Sequence, residues 1–152
     1  MLRILVTATL ILLGTVASAA AQDAARVAEL ADTLKAEAEG RAQTLAEAPG
    51  APSAAIEPSD PFATGVQDFA GEAIRLSRHI EAVGGPMDLK CIFKGMSEDA
   101  LSRLDALAEP ARNGERARTY HEFAGLFEDA AIIARDSETQ AVASLPCPVE
   151  AE

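Results

Sequence analysis

Seven apolar side chains, Phe62, Val66, Phe69, Ala73, Leu76, Ile80 and Val83, recur at steps of four and three residues. That spacing keeps one face of an α-helix apolar over three heptads, whereas in a strand the side chains would alternate between faces. Asp60 is placed to cap such a helix and Pro61 suits its first position. Gly84-Gly85-Pro86 stops it. A seam this regular requires facing helices. The spacing predicts that these come from the same chain; the alternative is a homodimer through Phe62, Val66, Phe69, Leu76, Ile80 and Val83.

Further helical patterns surround the seam. Residues 24–48 contain no proline, and Val27, Leu30, Leu34, Ala38 and Leu45 lie near one helical face behind a capping Asp23. Glu37 and Arg41 stand in the favourable i, i+4 order. The stripe is thin, so residues 22–48 are expected to form an amphipathic helix with a narrow buried face. Residues 49–61 carry Pro49, Pro52, Pro58 and Pro61, each removing an amide donor and holding its predecessor extended. This segment reads as a linker or crossing loop, able to let the first helix swing. The helical core is expected at 62–148, and deleting residues 22–48 is expected to leave a folded core and to abolish partner capture.

Leu89, Ile92, Phe93 and Met96 predict a short helix ending near Gly95. Ser97 is read as the cap of another helix, with a hydrophobic staple between Met96 and Leu101. Tyr120, Phe123, Leu126, Phe127, Ala130, Ile133 and Ala134 give a broad stripe over 115–136, suited to a central position. Close helix approach would account for Gly65 and Gly125. Residues 137–145 are weakly patterned, and 149–152 form an acidic tail. No alternating pattern predicts a strand. The fold class is therefore all-α, a small bundle of three to five helices.

The N-terminus carries an address. Met1-Leu2-Arg3 is cationic, Ile4 to Val16 is apolar and uncharged, and Ala17 to Ala21 offers small residues to a signal peptidase. That order describes a secretory signal peptide over residues 1–21, cleaved after Ala21. The apolar run is short for a membrane-spanning helix, which needs about 20 residues. In the oxidising compartment that follows export, Cys91 and Cys147 are expected to pair. The bond would close a long loop and tie the Pro146-Cys147-Pro148 tail to the body, a stabilisation of about 4 kcal/mol in the chain-entropy account.

Charge narrows the partners. Asp and Glu number 24 against 13 Lys and Arg, a net charge of −11. A nucleic-acid binder needs a basic face to neutralise phosphates, and docking on anionic lipid needs the same. Arg112, Arg116 and Arg118 are the one basic concentration. They are candidates for gripping a partner's carboxylate or phosphate, or for local pairing such as Glu115 with Arg118.

Motifs for catalysis are missing from the sequence. His121-Glu122 opens like a zincin helix, but Gly125 stands where the second imidazole belongs. Neither His79 nor His121 follows a glutamate by three residues, as a di-iron bundle needs. There is no nucleophile elbow, dinucleotide fingerprint or phosphate-binding loop. The expected function is that of an exported, non-enzymatic interaction protein of the bacterial envelope, periplasmic or else secreted. An accessory subunit, an inhibitor and a holdase all fit, and no cofactor is called for. Leu30, Leu34 and Leu45 are the candidate partner-binding residues beside the arginines. The alternative is a small-ligand or metal carrier in which His79 and His121 converge with Glu72 or Glu128 between helices.

Overall fold

A computed structural model describes residues 19–146. The elements in chain order are α1 (Ala19–Ala46), β1 (Pro52–Ser53), α2 (Pro61–Ala82), α3 (Met87–Leu107), β2 (Ala111–Arg112), α4 (Asn113–Arg135) and α5 (Ser137–Ala143). The chain is a small all-α bundle with one two-stranded antiparallel ribbon, in which Pro52 faces Arg112 and Ser53 faces Ala111. The expected signal segment lies almost wholly outside the described residues, as do Cys147 and the acidic tail. Among the described residues no helix is long and apolar enough to cross a membrane.

The seam of α2 is used within the chain. Phe62, Val66, Phe69, Ala73, Leu76 and Ile80 are all fully buried. At the near end Phe62 stands edge-on to Tyr120 and Phe123, with ring centroids 5.2 Å away in each case. Phe69 meets Phe127 edge-on at 5.0 Å. Edge-to-face geometry aligns positive ring edges with negative faces and adds about 0.5–1.5 kcal/mol per pair to the burial itself. The cap residues behave as their chemistry requires. The Asp60 carboxylate accepts from the Phe62 amide at 2.8 Å. At the other end Gly84 takes φ +69°, and the amides of Gly84 and Gly85 donate to Glu81 and Ile80. A positive φ there needs glycine, and the paired bonds satisfy carbonyls that the helix end leaves open.

The first helix is part of the core. Ala24, Val27, Ala31, Leu34 and Ala38 are at most 3% exposed, and they recur at steps of three and four. This is a second seam, made mostly of methyl groups, and it lies along α4 in the most extensive helix pairing of the molecule. Alanine allows the two helices to approach closely. The narrow leucine stripe read from the sequence is thus the flank of a wider alanine face. Leu30 and Leu45 are partly buried beside the core. Leu34, a candidate for partner contact, lies inside: a Cβ built on Gly65 would come within 2.8 Å of its Cδ2. Gly65 is the notch that receives it. Gly125, expected to serve the same purpose, has open space around it.

The crossing segment is pinned at both ends. Ile56 donates to Leu107, Asn113 to Ala51 and Gly114 to Pro49, all through backbone amides at 2.9 Å. The Asn113 side chain adds a bond to the Ala48 carbonyl at 3.0 Å, and Arg112 one to Gly50 at 2.9 Å. Four prolines remove donors from this segment, so apart from the Ile56 amide these bonds run to carbonyls.

Two short helices expected around Ser97 are one. Gly95 costs a helix about 1 kcal/mol relative to alanine, and the burial of Leu89, Phe93, Ala100, Leu104 and Leu107 outweighs it. Ser97 is therefore mid-helix, not a cap. It is buried and donates its hydroxyl to the Ala70 carbonyl of α2 at 2.9 Å. Asp136 caps α5 by accepting from Glu138 at 2.9 Å. Gly85 lets α5 close over the end of α2, since a Cβ there would lie 2.6 Å from Val142 Cγ1.

Candidate functional site

An open cleft of about 830 Å3 lies between the C-terminal half of α1 and the crossing segment 53–57. Glu37, Gly40, Arg41, Thr44 and Leu45 form the helical wall, and Ser53 to Glu57 form the extended one. Asp60, Arg116 and Tyr120 contribute at the base.

Two arginines explain why the bundle opens here. The alanine seam of α1 runs through 24, 27, 31, 34 and 38, so its next position is Arg41. The inward face of α4 runs through Tyr120, Phe123, Phe127, Ala130 and Ala134, and one step earlier stands Arg116. Both seams thus end in a guanidinium at the same end of the molecule, where apolar contact gives way to hydrogen bonding.

Arg41 is a hub. Its Nη1 and Nη2 donate to the two oxygens of Asp60 at 3.1 and 2.7 Å, a bidentate pair. Its Nε and Nη2 reach Glu37 Oε1 at 3.1 and 2.7 Å. Nη1 also reaches the Tyr120 hydroxyl at 3.3 Å, and the guanidinium carbon lies 5.2 Å from the Phe62 ring centre. Burial works against the charge on Arg41, but the bonds to Asp60, Tyr120 and Glu37 outweigh it and raise its pKa above the ordinary arginine value. Burial likewise pushes the Asp60 carboxyl up. The bonds from Arg41 and the Phe62 amide overcome this and hold it below the usual carboxylate range. Each donor of Arg41 is committed, so it acts as a fixed brace between α1 and the start of α2.

Arg116 is 4% exposed and caps a different element. Its Nη1 and Nη2 donate to the carbonyls of Leu107 and Glu109 at 2.8 and 2.7 Å, closing the C-terminal end of α3. Its Nε has no hydrogen-bond partner among the described residues. The expectation that Arg112, Arg116 and Arg118 form one gripping patch therefore divides. Arg116 is internal, Arg112 fastens the crossing segment, and Arg118 is exposed. The Glu115 carboxylate accepts from the Arg112 amide at 3.0 Å.

The histidines do not share a site. His79 is half-buried on α2 and His121 is exposed on α4. Glu128 is held by Lys35 at 3.0 Å. Glu72 is buried and paired with Arg26 at 2.6 Å and with Arg75. Among the described residues no group of three or more His, Cys, Asp and Glu is gathered as metal ligands. Cys91 is exposed on α3, and its expected partner Cys147 is outside the described residues.

The fold and the cleft define a small all-α bundle with a braced, open groove at one end. Compared with known protein families, curated proteins and solved structures, the chain matches none. Sequence reasoning passed over Arg41, Asp60 and Tyr120 as a group. The signal was present: a lone arginine at an apolar position of a heptad seam is expensive unless something receives it.

Proposed function

We propose that this chain is an exported, non-enzymatic interaction protein of the bacterial envelope, working in the periplasm by recognising a partner protein. The address at residues 1–21 supports export. The observation that carries the recognition reading is the state of the cleft's polar groups. Arg41 is locked to Asp60 and donates to the Tyr120 hydroxyl, so this part of the groove presents a stiff shape. A stiff groove suits binding, since little ordering remains to oppose it.

The test is crosslinking of the native protein in its host envelope, followed by mass spectrometry of what is attached. A recurrent envelope protein is expected. Recovery of the chain alone, or from the cytosol with residue Met1 still in place, would refute the reading. On the same reading Cys91 and Cys147 pair after export, and two alkylatable thiols in unreduced mature protein would refute that part. A second reading, carriage of a small ligand, draws on the cleft's volume of about 830 Å3, which is in the range of small-molecule sites. Calorimetric titration with zinc, copper and haem tests its metal and cofactor forms.

A further inference from the structure

The end of the bundle away from the cleft is closed by its weakest element. α5 has seven residues, too few for a helix to persist without tertiary support. Asp136 caps it, and it meets α1, α2 and α4. Only Thr139 and Ala143 of this helix are fully buried, and both are small. Hydrophobic stabilisation grows with the apolar area removed from water, so α5 is held weakly. Elements of this kind open locally well before the whole fold does. Its docking place is set by Gly85, whose missing side chain admits Val142.

That docking place brings the end of the described chain close to Cys91. From Gly85, two steps of chain and one turn of α3 lead to Cys91, a span of at most about 13 Å. On the other side the Leu145 amide donates to the Val142 carbonyl at 3.1 Å, so Leu145 stays beside Val142. Two further residues reach Cys147, about 7 Å when extended, and a disulfide spans about 6 Å more between Cα atoms. The two lengths are of the same size. The surface between them lacks cover. Met87, one turn before Cys91 on the same face of α3, is 65% exposed, and Leu145 is 45% exposed. Leu145-Pro146-Cys147-Pro148-Val149 is uncharged and suits such a surface, with Glu150 and Glu152 beyond it. Of the chain's three lysines, Lys90 and Lys94 flank Cys91. Lys90 is paired with Glu81, whereas Lys94 is held by Glu98 only at 3.7 Å, which leaves its charge to attract the acidic end.

We propose that the C-terminal segment crosses from α5 to the first turns of α3, covers Met87 and bonds Cys147 to Cys91, and that this bond is a redox latch on α5. The pairing of the two cysteines rests on the export reading; the path of the segment and the latching of α5 go beyond it. The oxidant is a disulfide, either of an oxidising dithiol protein or of a small thiol. The thiolate of one cysteine attacks it and expels one thiolate, leaving a mixed disulfide. The thiolate of the other cysteine then attacks the first cysteine's sulfur and expels the second thiolate. The chain gives up two electrons and two protons, and the oxidant's disulfide becomes two thiols. Once tied, α5 stays over Gly85 and Ile80. With both thiols reduced it lifts away on its own, so this end of the bundle is shut only where a disulfide donor is present.

The test compares the mature chain, residues 22–152, oxidised with glutathione disulfide, with its Cys147→Ser variant. Peptide mapping without reduction is expected to find the Cys91 and Cys147 peptides joined within a monomer. Amides 140–145 are expected to exchange with deuterium about tenfold faster in Cys147→Ser, while those of α4 keep their rates. Of the two methionine methyl resonances of the mature chain, that of Met87 is expected to differ between the forms and that of Met96 to stay. Free thiols after oxidation, or a bond only between two chains, would overturn the proposal. A joined pair with equal exchange of 140–145 in both forms would refute the latch and leave the pairing. An unmoved Met87 resonance would refute the path across α3. Protein taken from the host envelope tests the export reading separately. If it carries two alkylatable thiols although the purified chain pairs and protects α5, that reading falls and the latch stands.

Discussion

The contact between Leu34 and Gly65 offers a direct test of whether α1 belongs to the core. Leu34 is 3% exposed, and truncating a buried leucine to alanine costs about 2–5 kcal/mol through lost transfer energy and the cavity left behind. Gly65→Ala acts in two directions. Alanine in a helix interior is favoured over glycine by about 1 kcal/mol. The new Cβ, however, would lie 2.8 Å from Leu34 Cδ2, and overpacking of this kind costs about 1–3 kcal/mol. The flexible end of Leu34 can give way, which places the net effect at about 0–2 kcal/mol of destabilisation. In a Leu34→Ala background the obstructing atom is gone. Gly65→Ala should then keep its helix preference, fill part of the cavity and stabilise the protein by about 1 kcal/mol. The sign of one substitution therefore reverses with the other, a coupling of about 1–3 kcal/mol. Urea denaturation of the four proteins, followed by far-ultraviolet circular dichroism with equal m-values, measures it. If Gly65→Ala shifts the midpoint equally in both backgrounds, the two residues do not touch. If Leu34→Ala costs under about 1 kcal/mol, α1 is not buried where the structure puts it.

Other consequences can be checked in the same assay. Arg41→Met should cost about 1–3 kcal/mol, because it removes the charged donor from the partly buried Asp60 and the bond to the Tyr120 hydroxyl; an effect below about 0.5 kcal/mol would show that the brace is not needed. Asp60 has a depressed pKa in the folded chain, so its contribution is complete above the unfolded value of about 3.9 and is lost as pH falls through the lower folded value. Asp60→Asn should flatten the acid limb of the stability profile in that window, and an unchanged limb would contradict the pairing. Ser97→Ala should cost about 1 kcal/mol by removing the hydroxyl bond to the Ala70 carbonyl, whereas a mere surface cap would lose helix content at residues 97–100 in hydrogen exchange. Removing residues 22–48 should unfold the chain, since it uncovers the inner face of α4; a cooperative transition in the truncated form would refute that.

Much of the architecture was legible because it depends on local order along the chain. The seam of α2, its Asp60 cap, the Gly84-Gly85 stop and the broad face of α4 all follow from helical periodicity and from what each terminal residue can do with its backbone. The alanine seam of α1 was legible in principle, yet alanines carry so little hydropathy that the leucines beside them drew the reading to the flank. The break at Ser97 was misread for a related reason: a serine after a glycine has the local chemistry of a cap, and only burial against Ala70 makes it a mid-helix contact.

What the sequence determined by itself is the set of helices and the sides they turn inward, because a residue's neighbours at three and four positions are fixed by the helix alone. What the tertiary structure decided is the cleft. Arg41, Asp60, Tyr120 and Arg116 come from separate elements, and the two-residue ribbon is too short to leave an alternating trace. Their meeting depends on how α1 and α4 run past each other and on where the crossing segment is tied down. Those distances are set by packing across the molecule, where no spacing along the chain records them.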